Sequence, residues 1–403
     1  MVSKILRILV KFLTGILLLV WLVLFPYTLT PVYEYPESKS FSGDQLYNPY
    51  AETDFSQWQR VNFHAHSDYW GNIGITHAHT NSPENIHRVY KEELGYTLPG
   101  ISDYQHINRS LDSLTSFLPV YEHGYNIHRV HQLPVNAKRV TYLDYPLSQN
   151  TAQKQHVINA LRRQSDFVIL AHPHLDSGYK VSDIKNLSNY QAIEILNTFA
   201  FYKPAIDLWD VALSEGKYVV AAGNDDMHDM SRRREFGYRF NSVATDSKDA
   251  DDILSEMKKG NHMVVSIHRN SKDDLERKKE KLQDVEQRIE YFNVSGDTIT
   301  MVVNHPVFYL SIMGDNGKTL KKSETDSITY VLQPEDTYVR AEAHFNDHTN
   351  IFLNPVIRYS GDLSEYQLQA KIKYLPTALF ILLRVALWLS VFTFVLIKVV
   401  IRW

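Results

Sequence analysis

The stretch QWQRVNFHAHSD, residues 57–68, decides how this chain is read. Val61 and Phe63 are β-favouring and share one face at the two-residue period of a strand, so Arg60 to Phe63 predict a short strand. It runs straight into His64, Ala65 and His66, and two imidazoles leave one strand end on the same side. Imidazole is the commonest metal-binding side chain, and a pair spaced by one residue can grip an ion from one side of a sheet. Such a pair alone is weak evidence; what lies downstream strengthens it.

A loop follows, with a second pair at His77 and His79. Residues 82–96 predict a helix: Ser82 caps it, Pro83 opens it, Ile86, Val89, Tyr90 and Leu94 form its apolar stripe, and Gly95 ends it. The next strand ends in Asp103, Tyr104, Gln105 and His106, and another ends at Glu122, with His128 and His131 beyond it. A helix over 151–164 leads to the strand DFVILAHPHL, which delivers His172 and His174. The stretches NYQAIEILN and GKYVVAAGNDDMHD repeat the alternation, and the last delivers Asp225, Asp226 and His228. Strands alternating with helices, each emptying a His, Asp or Glu at its C-terminal end, predict an α/β fold of parallel β/α-barrel type with its site on one face.

Composition narrows the chemistry. The 403 residues suffice for one full core and a smaller one. Lys plus Arg number 42 against 46 Asp plus Glu, a net charge of −4, so no nucleic-acid partner is expected. No cysteine is present, which excludes thiolate ligands, thiol nucleophiles and disulfides. Half of the 18 histidines fall between His64 and His131.

Both ends of the chain are apolar. Residues 5–26 are long enough to cross a bilayer, with Lys4, Arg7 and Lys11 on the N-terminal side and no small-residue cleavage pattern after them. A second run over 385–403 is bracketed by Arg384, Lys398 and Arg402, whose long side chains can reach the interface. Two spans predict a hairpin in the cytoplasmic (inner) membrane, with both termini inside and residues of about 30–375 on the extracytoplasmic, periplasmic side. The expected organisation is an N-terminal transmembrane anchor at 1–30, a tether at 31–58, a catalytic domain at 59–268, a charged helix at 269–292, a small antiparallel β-sandwich-like module at 293–361 and a C-terminal transmembrane helix at 375–403.

From residue 59 to 268 these ordered motifs resemble the polymerase and histidinol phosphatase (PHP) family: the HAH at 64–66, the helix feeding GISDYQHIN, the glutamate of VYEHG, LAHPH at 170–174 and GNDDMH at 223–228. The resemblance implies a distorted (β/α)7 TIM-like barrel holding two or three divalent ions, commonly zinc, manganese or iron, that hydrolyses phosphate esters. Carried over by motif, it makes His64, His66, Glu122, His131, His172, Asp226 and His228 ligands, with Glu122 bridging the ions and Glu122, Asp226 and His228 serving catalysis. The family reads Asp-His at its second motif, whereas here Asp103 precedes Tyr104; His106 can supply the imidazole, His79 or Asp68 another ligand, and His128 competes with His131. Arg232, Arg233 and Arg234 are candidates to hold the phosphate by forked hydrogen bonds. Two ions about 3.5–4 Å apart can clamp the attacking and leaving oxygens and make hydroxide available near neutral pH. The expected function is thus metal-dependent hydrolysis of a phosphorylated small molecule or envelope component at the lipid bilayer; the alternative is a catalytically silent metal-binding sensor or scaffold.

Overall fold

The computed structural model describes residues 2–74, 76, 80–199 and 203–401. Its architecture is mixed α/β. The strand ahead of the HAH pair is Trp58–Asn62, and it lies inside a ten-stranded sheet. It pairs parallel with Leu98–Pro99 and antiparallel with Arg239–Ala244, which pairs in turn with His262–Ser266. A four-stranded sheet runs Gln132–Val135, Phe167–Leu170, Ala192–Asn197, Val220–Asn224, its last three strands parallel and its first antiparallel. These strands are buried nearly throughout, as parallel strands under helices must be. The covering helix expected over 151–164 is Thr151–Arg162, opened by a capping box in which the Asn150 side chain accepts from Gln153 N and the Gln153 side chain from Asn150 N.

Among the described residues no sheet closes on itself, and here the structure departs from the (β/α)7 barrel expected. The two sheets meet instead through isolated parallel bridges, Ala65 to Met227 and Tyr104 to Glu122. Side-chain amides do the rest. Asn224 Oδ1 accepts from Phe63 N at 2.8 Å, and Asn62 Oδ1 accepts from Asp225 N at 2.9 Å. Each asparagine ends its strand and takes the hydrogen bond that a neighbouring strand would have taken, so the ladder stops where the site begins.

The later strands extend the large sheet. Asn350–Leu353 pairs with His262–Ser266, and Tyr338–Phe345 and Val307–Gly314 continue outward from it. The charged segment is helical only over Leu275–Leu282, with a 3-10 turn at Val285–Arg288. Ile289 and Phe292 leave it in the strand Ile289–Ser295, because Thr298–Val303 offers a paired backbone. Residues 33–54 lack periodicity yet lie on the body: Gln45–Tyr47 pairs with Val356–Tyr359, and Phe41 is buried against Tyr338 and Tyr366.

Two segments, Lys4–Leu29 and Tyr374–Lys398, are long and apolar enough to cross a membrane, with mean hydropathy 2.7 and 2.4. Trp21 and Trp388 stack between them at 6.4 Å, each indole N–H donating to the other's carbonyl at 3.4 and 3.2 Å. Where the chain enters and leaves the body, Tyr33–Glu34 pairs with Lys371–Ile372, and Arg384 Nη1 donates to Thr30 O at 2.8 Å.

Candidate metal centre

Every side chain of the centre stands in or beside a strand. His64 and His66 follow Trp58–Asn62, His131 directly precedes Gln132–Val135, His172 follows Phe167–Leu170, and Asp226 follows Val220–Asn224. Glu122 sits in the bridge to Tyr104. All six are buried. His64, His66, Glu122 and Asp226 each offer a ligand atom within 4.8 Å of the others, and Glu122, His131 and His172 do the same. Glu122 belongs to both groups.

Two imidazole nitrogens face the same two carboxylate oxygens. His64 Nε2 lies 3.4 Å from Glu122 Oε2 and 3.1 Å from Asp226 Oδ1; His66 Nε2 lies 3.2 Å from each. On the other side of Glu122, His131 Nδ1 and His172 Nε2 lie 2.5 and 3.0 Å from Oε1. Such mixed imidazole and carboxylate donors suit zinc, manganese or iron.

The charges are mutually dependent. Burial alone would depress the His64 ring, but Asp226, Glu122 and Glu194 outweigh it and hold it well above the usual imidazole value. Burial would likewise lower His66, but the adjacent Asp226 and Glu122 carboxylates push it up to about 9. Burial opposes the charge on Glu122, yet the surrounding imidazoles hold it well below the usual carboxylate range. His228 differs: burial, with His66 beside it, pushes it down to about 4.

Backbone strain marks the same places. His172 and Asp226 have φ of 25° and 55°, a region that non-glycine residues rarely occupy, and strain of this kind collects at functional sites. Gly124 has φ of 131°, and a Cβ there would stand 2.4 Å from His131 Cδ2, so only glycine lets the turn close over that ring.

His228 adjoins the cluster rather than joining either group. Its Nδ1 lies 3.4 Å from Asp226 Oδ1, its Nε2 3.1 Å from Tyr104 Oη, and its ring stacks on Phe199. Asp103 and His106 are placed elsewhere. The Asp103 carboxylate accepts from Ser67 N and Oγ at 2.7 and 2.6 Å and from Asn108 Nδ2 at 3.1 Å, so it ties the turn after His66 instead of facing the ligands. His106 stacks on Tyr69 at 3.6 Å. Tyr104 lies against the ligands instead, stacked on His66 at 4.4 Å. His128 is exposed and pairs with Ser148, while Asp68 begins the 3-10 turn Asp68–Ile73. His79 lies outside the described residues. Arg232 pairs with Asp229 and Glu235 at 3.0 and 3.4 Å, and Arg233 and Arg234 lie in the adjoining 3-10 turn Arg233–Glu235.

Three features of the site were not expected from the sequence. Glu194 holds His64 Nδ1 at 3.1 Å through Oε1 and accepts from His172 N at 2.7 Å through Oε2. Its signal was present: a carboxylate in the middle of the apolar strand Ala192–Asn197 needs a partner. Tyr104 is the second. The third is a cleft beside the cluster, lined by His172, His174, Glu194, Lys203, Arg239 and Arg269.

No family model matches the chain, and no curated protein matches it. Among solved structures, it is similar to a two-domain protein of Bacteroides vulgatus ATCC 8482 containing a predicted PHP-like metal-dependent phosphoesterase, at 12% identity over 81% of this chain and 92% of that one, with a TM-score of 0.38.

Proposed function

We propose that this protein is a metal-dependent phosphoesterase held in the cytoplasmic membrane by its two apolar helices, with its body on the extracytoplasmic side. The observation that carries the reading is Glu122, whose two oxygens are each shared with a different set of imidazoles, the arrangement of a carboxylate between two cations. The donors fit such ions. His64 Nε2 and Glu122 Oε2 are buried without hydrogen-bond partners and face each other at 3.4 Å, a costly state unless a cation lies between them. When bound, the ions supply charge neutralisation for the phosphate and hydroxide near neutral pH.

The chain's own residues do the positioning. Glu194 fixes the His64 ring by holding Nδ1, which leaves Nε2 for a ligand role. His228, low in basicity and in contact with Tyr104, is placed to pass a proton between solvent and the site. Arg239, Arg269 and Lys203 give the adjoining cleft the positive charge a phosphate requires. Lys4, Arg7 and Lys11 in the N-terminal half of the first apolar helix favour an N-terminus in the cytoplasm. A silent metal-binding sensor is the second reading, favoured by tyrosine at position 104.

The test is elemental analysis of the purified full chain, with hydrolysis of a generic phosphomonoester and phosphodiester with and without manganese. About two metal equivalents or more with metal-dependent turnover support the enzyme. Bound metal without turnover on either ester favours the sensor, and no metal at all overturns the ligand assignment.

A further inference from the structure

The metal centre is mechanically joined to the end of the first apolar helix. Tyr27, on the last turn of that segment, accepts from Leu147 N at 2.8 Å through its hydroxyl and packs edge-on against Tyr145 at 5.1 Å. The 142–148 segment is in turn laced to residues 125–131. Ile127 N donates to Pro146 O at 3.0 Å, Tyr125 Oη donates to Tyr142 O at 3.2 Å, and His128 Nε2 lies 3.1 Å from Ser148 Oγ. The 125–131 loop runs between Glu122 and His131, and its Arg129 pairs at 3.2 Å with Asp176, next to Leu175 on the cleft wall.

These two segments expose apolar side chains side by side: Tyr125 at 50%, Ile127 at 62%, Tyr142 at 69% and Leu147 at 47%. A single exposed apolar residue needs no explanation, but four on one flap do. Tyrosines with an apolar ring and a polar tip are the residues that settle at the headgroup level of a bilayer. The occupant follows from connectivity. Where the first apolar helix crosses a membrane, the hydrogen bond from Leu147 to Tyr27 leaves the flap beside that membrane's surface.

We propose that the flap formed by residues 125–131 and 142–148 rests on the bilayer and that the ester opened at the metal centre is carried on a membrane lipid. This rests on the phosphoesterase reading above. Water adds across one P–O bond: its oxygen stays on phosphorus, and the departing lipid oxygen leaves with a proton. The flap brings the rim of the cleft down to where lipid phosphates lie, and their density there replaces affinity for a soluble molecule.

The absence of cysteine makes the test direct. Ile127→Cys, Tyr142→Cys and, on the exposed Phe308 of the strand Val307–Gly314, Phe308→Cys are each labelled with a fluorophore in the full chain and reconstituted into phosphatidylcholine vesicles. Lipids with a nitroxide on the headgroup are expected to quench positions 127 and 142 strongly and position 308 little; equal quenching at all three overturns the membrane contact. In the same vesicles, turnover of doped phosphatidate is compared with that of a short-chain water-soluble phosphomonoester. The expected preference in kcat/KM for the lipid is on the order of a hundredfold, and an equal or reversed preference overturns the substrate class. No turnover of either ester, with the quenching pattern intact, brings down the phosphoesterase reading and the substrate with it but leaves the flap on the bilayer.

Discussion

Glu122 and His131 meet at 2.5 Å although nine positions of chain separate them. The antiparallel bridge between His123 and Gln132 makes this possible, because it fixes the two backbones next to each other one residue beyond each side chain. Glu122→Gln keeps the shape and removes the charge. It is expected to cost about half of the bound metal or more and to lower kcat about a hundredfold. Elemental analysis beside steady-state kinetics checks this; unchanged metal stoichiometry would take Glu122 out of the ligand set.

Metal uptake should release protons. In the metal-free protein His64 is held well above the usual imidazole value and His66 at about 9 by the neighbouring carboxylates, so both carry protons at neutral pH that an incoming cation must displace. Raised values mean that protons compete more strongly as pH falls, so affinity should tighten as pH rises towards about 9, the value to which His66 is pushed. Calorimetry in two buffers of different ionisation heat measures the release directly. An affinity that is flat from about pH 6 to about 9 would contradict it.

A buried ion pair joins the helix Ile206–Ser214 to the large sheet. Arg340 donates to Asp210 at 2.7 and 2.8 Å and also contacts Glu342, with all three side chains nearly inaccessible. Arg340→Met leaves the buried Asp210 carboxylate without its cation and Glu342 with His344 alone, and is expected to destabilise the body by about 3–5 kcal/mol. A fall in melting temperature with metal content retained is the expected signature. A melting temperature equal to wild type would mean that the carboxylates are neutralised some other way.

The side chains that the structure brings together were more legible than the fold around them. His64, His66, His172 and Asp226 each stand just past an apolar strand, where a polar residue has no packing role. Asp103 carries the same signal, but its carboxylate is held by Ser67 and Asn108, an arrangement that depends on how the turn after His66 folds back. Tyr104 departs from the pattern of the second motif in sequence, while its stacking on His66 exists only in three dimensions. Residue periodicity identifies a strand but not its neighbour, so nothing in residues 350–353 announced that they would pair with His262–Ser266. Likewise, the apolar positions Leu275, Leu282, Val285, Ile289 and Phe292 of the charged segment at 269–292 fit a helix until a competing strand offers its hydrogen bonds.

The membrane topology is open to a genetic test. On the proposed orientation, alkaline phosphatase joined after residue 375 should be active and the same enzyme joined at the C-terminus inactive, because the second apolar segment, Tyr374–Lys398, would return the chain to the cytoplasm. The opposite pattern would reverse the orientation.

The strand pair between Tyr33–Glu34 and Lys371–Ile372, with Arg384 on Thr30, binds the two legs together just below the body. An enzyme on a loose single leash sweeps a hemisphere of solution; on the reading proposed above, this chain, standing in a bilayer on two stitched legs, would keep a fixed height and search a plane. Its encounters would then scale with the number of esters per area of membrane, and diluting the lipid with an inert neighbour would slow it even when the amount of ester in the tube is unchanged.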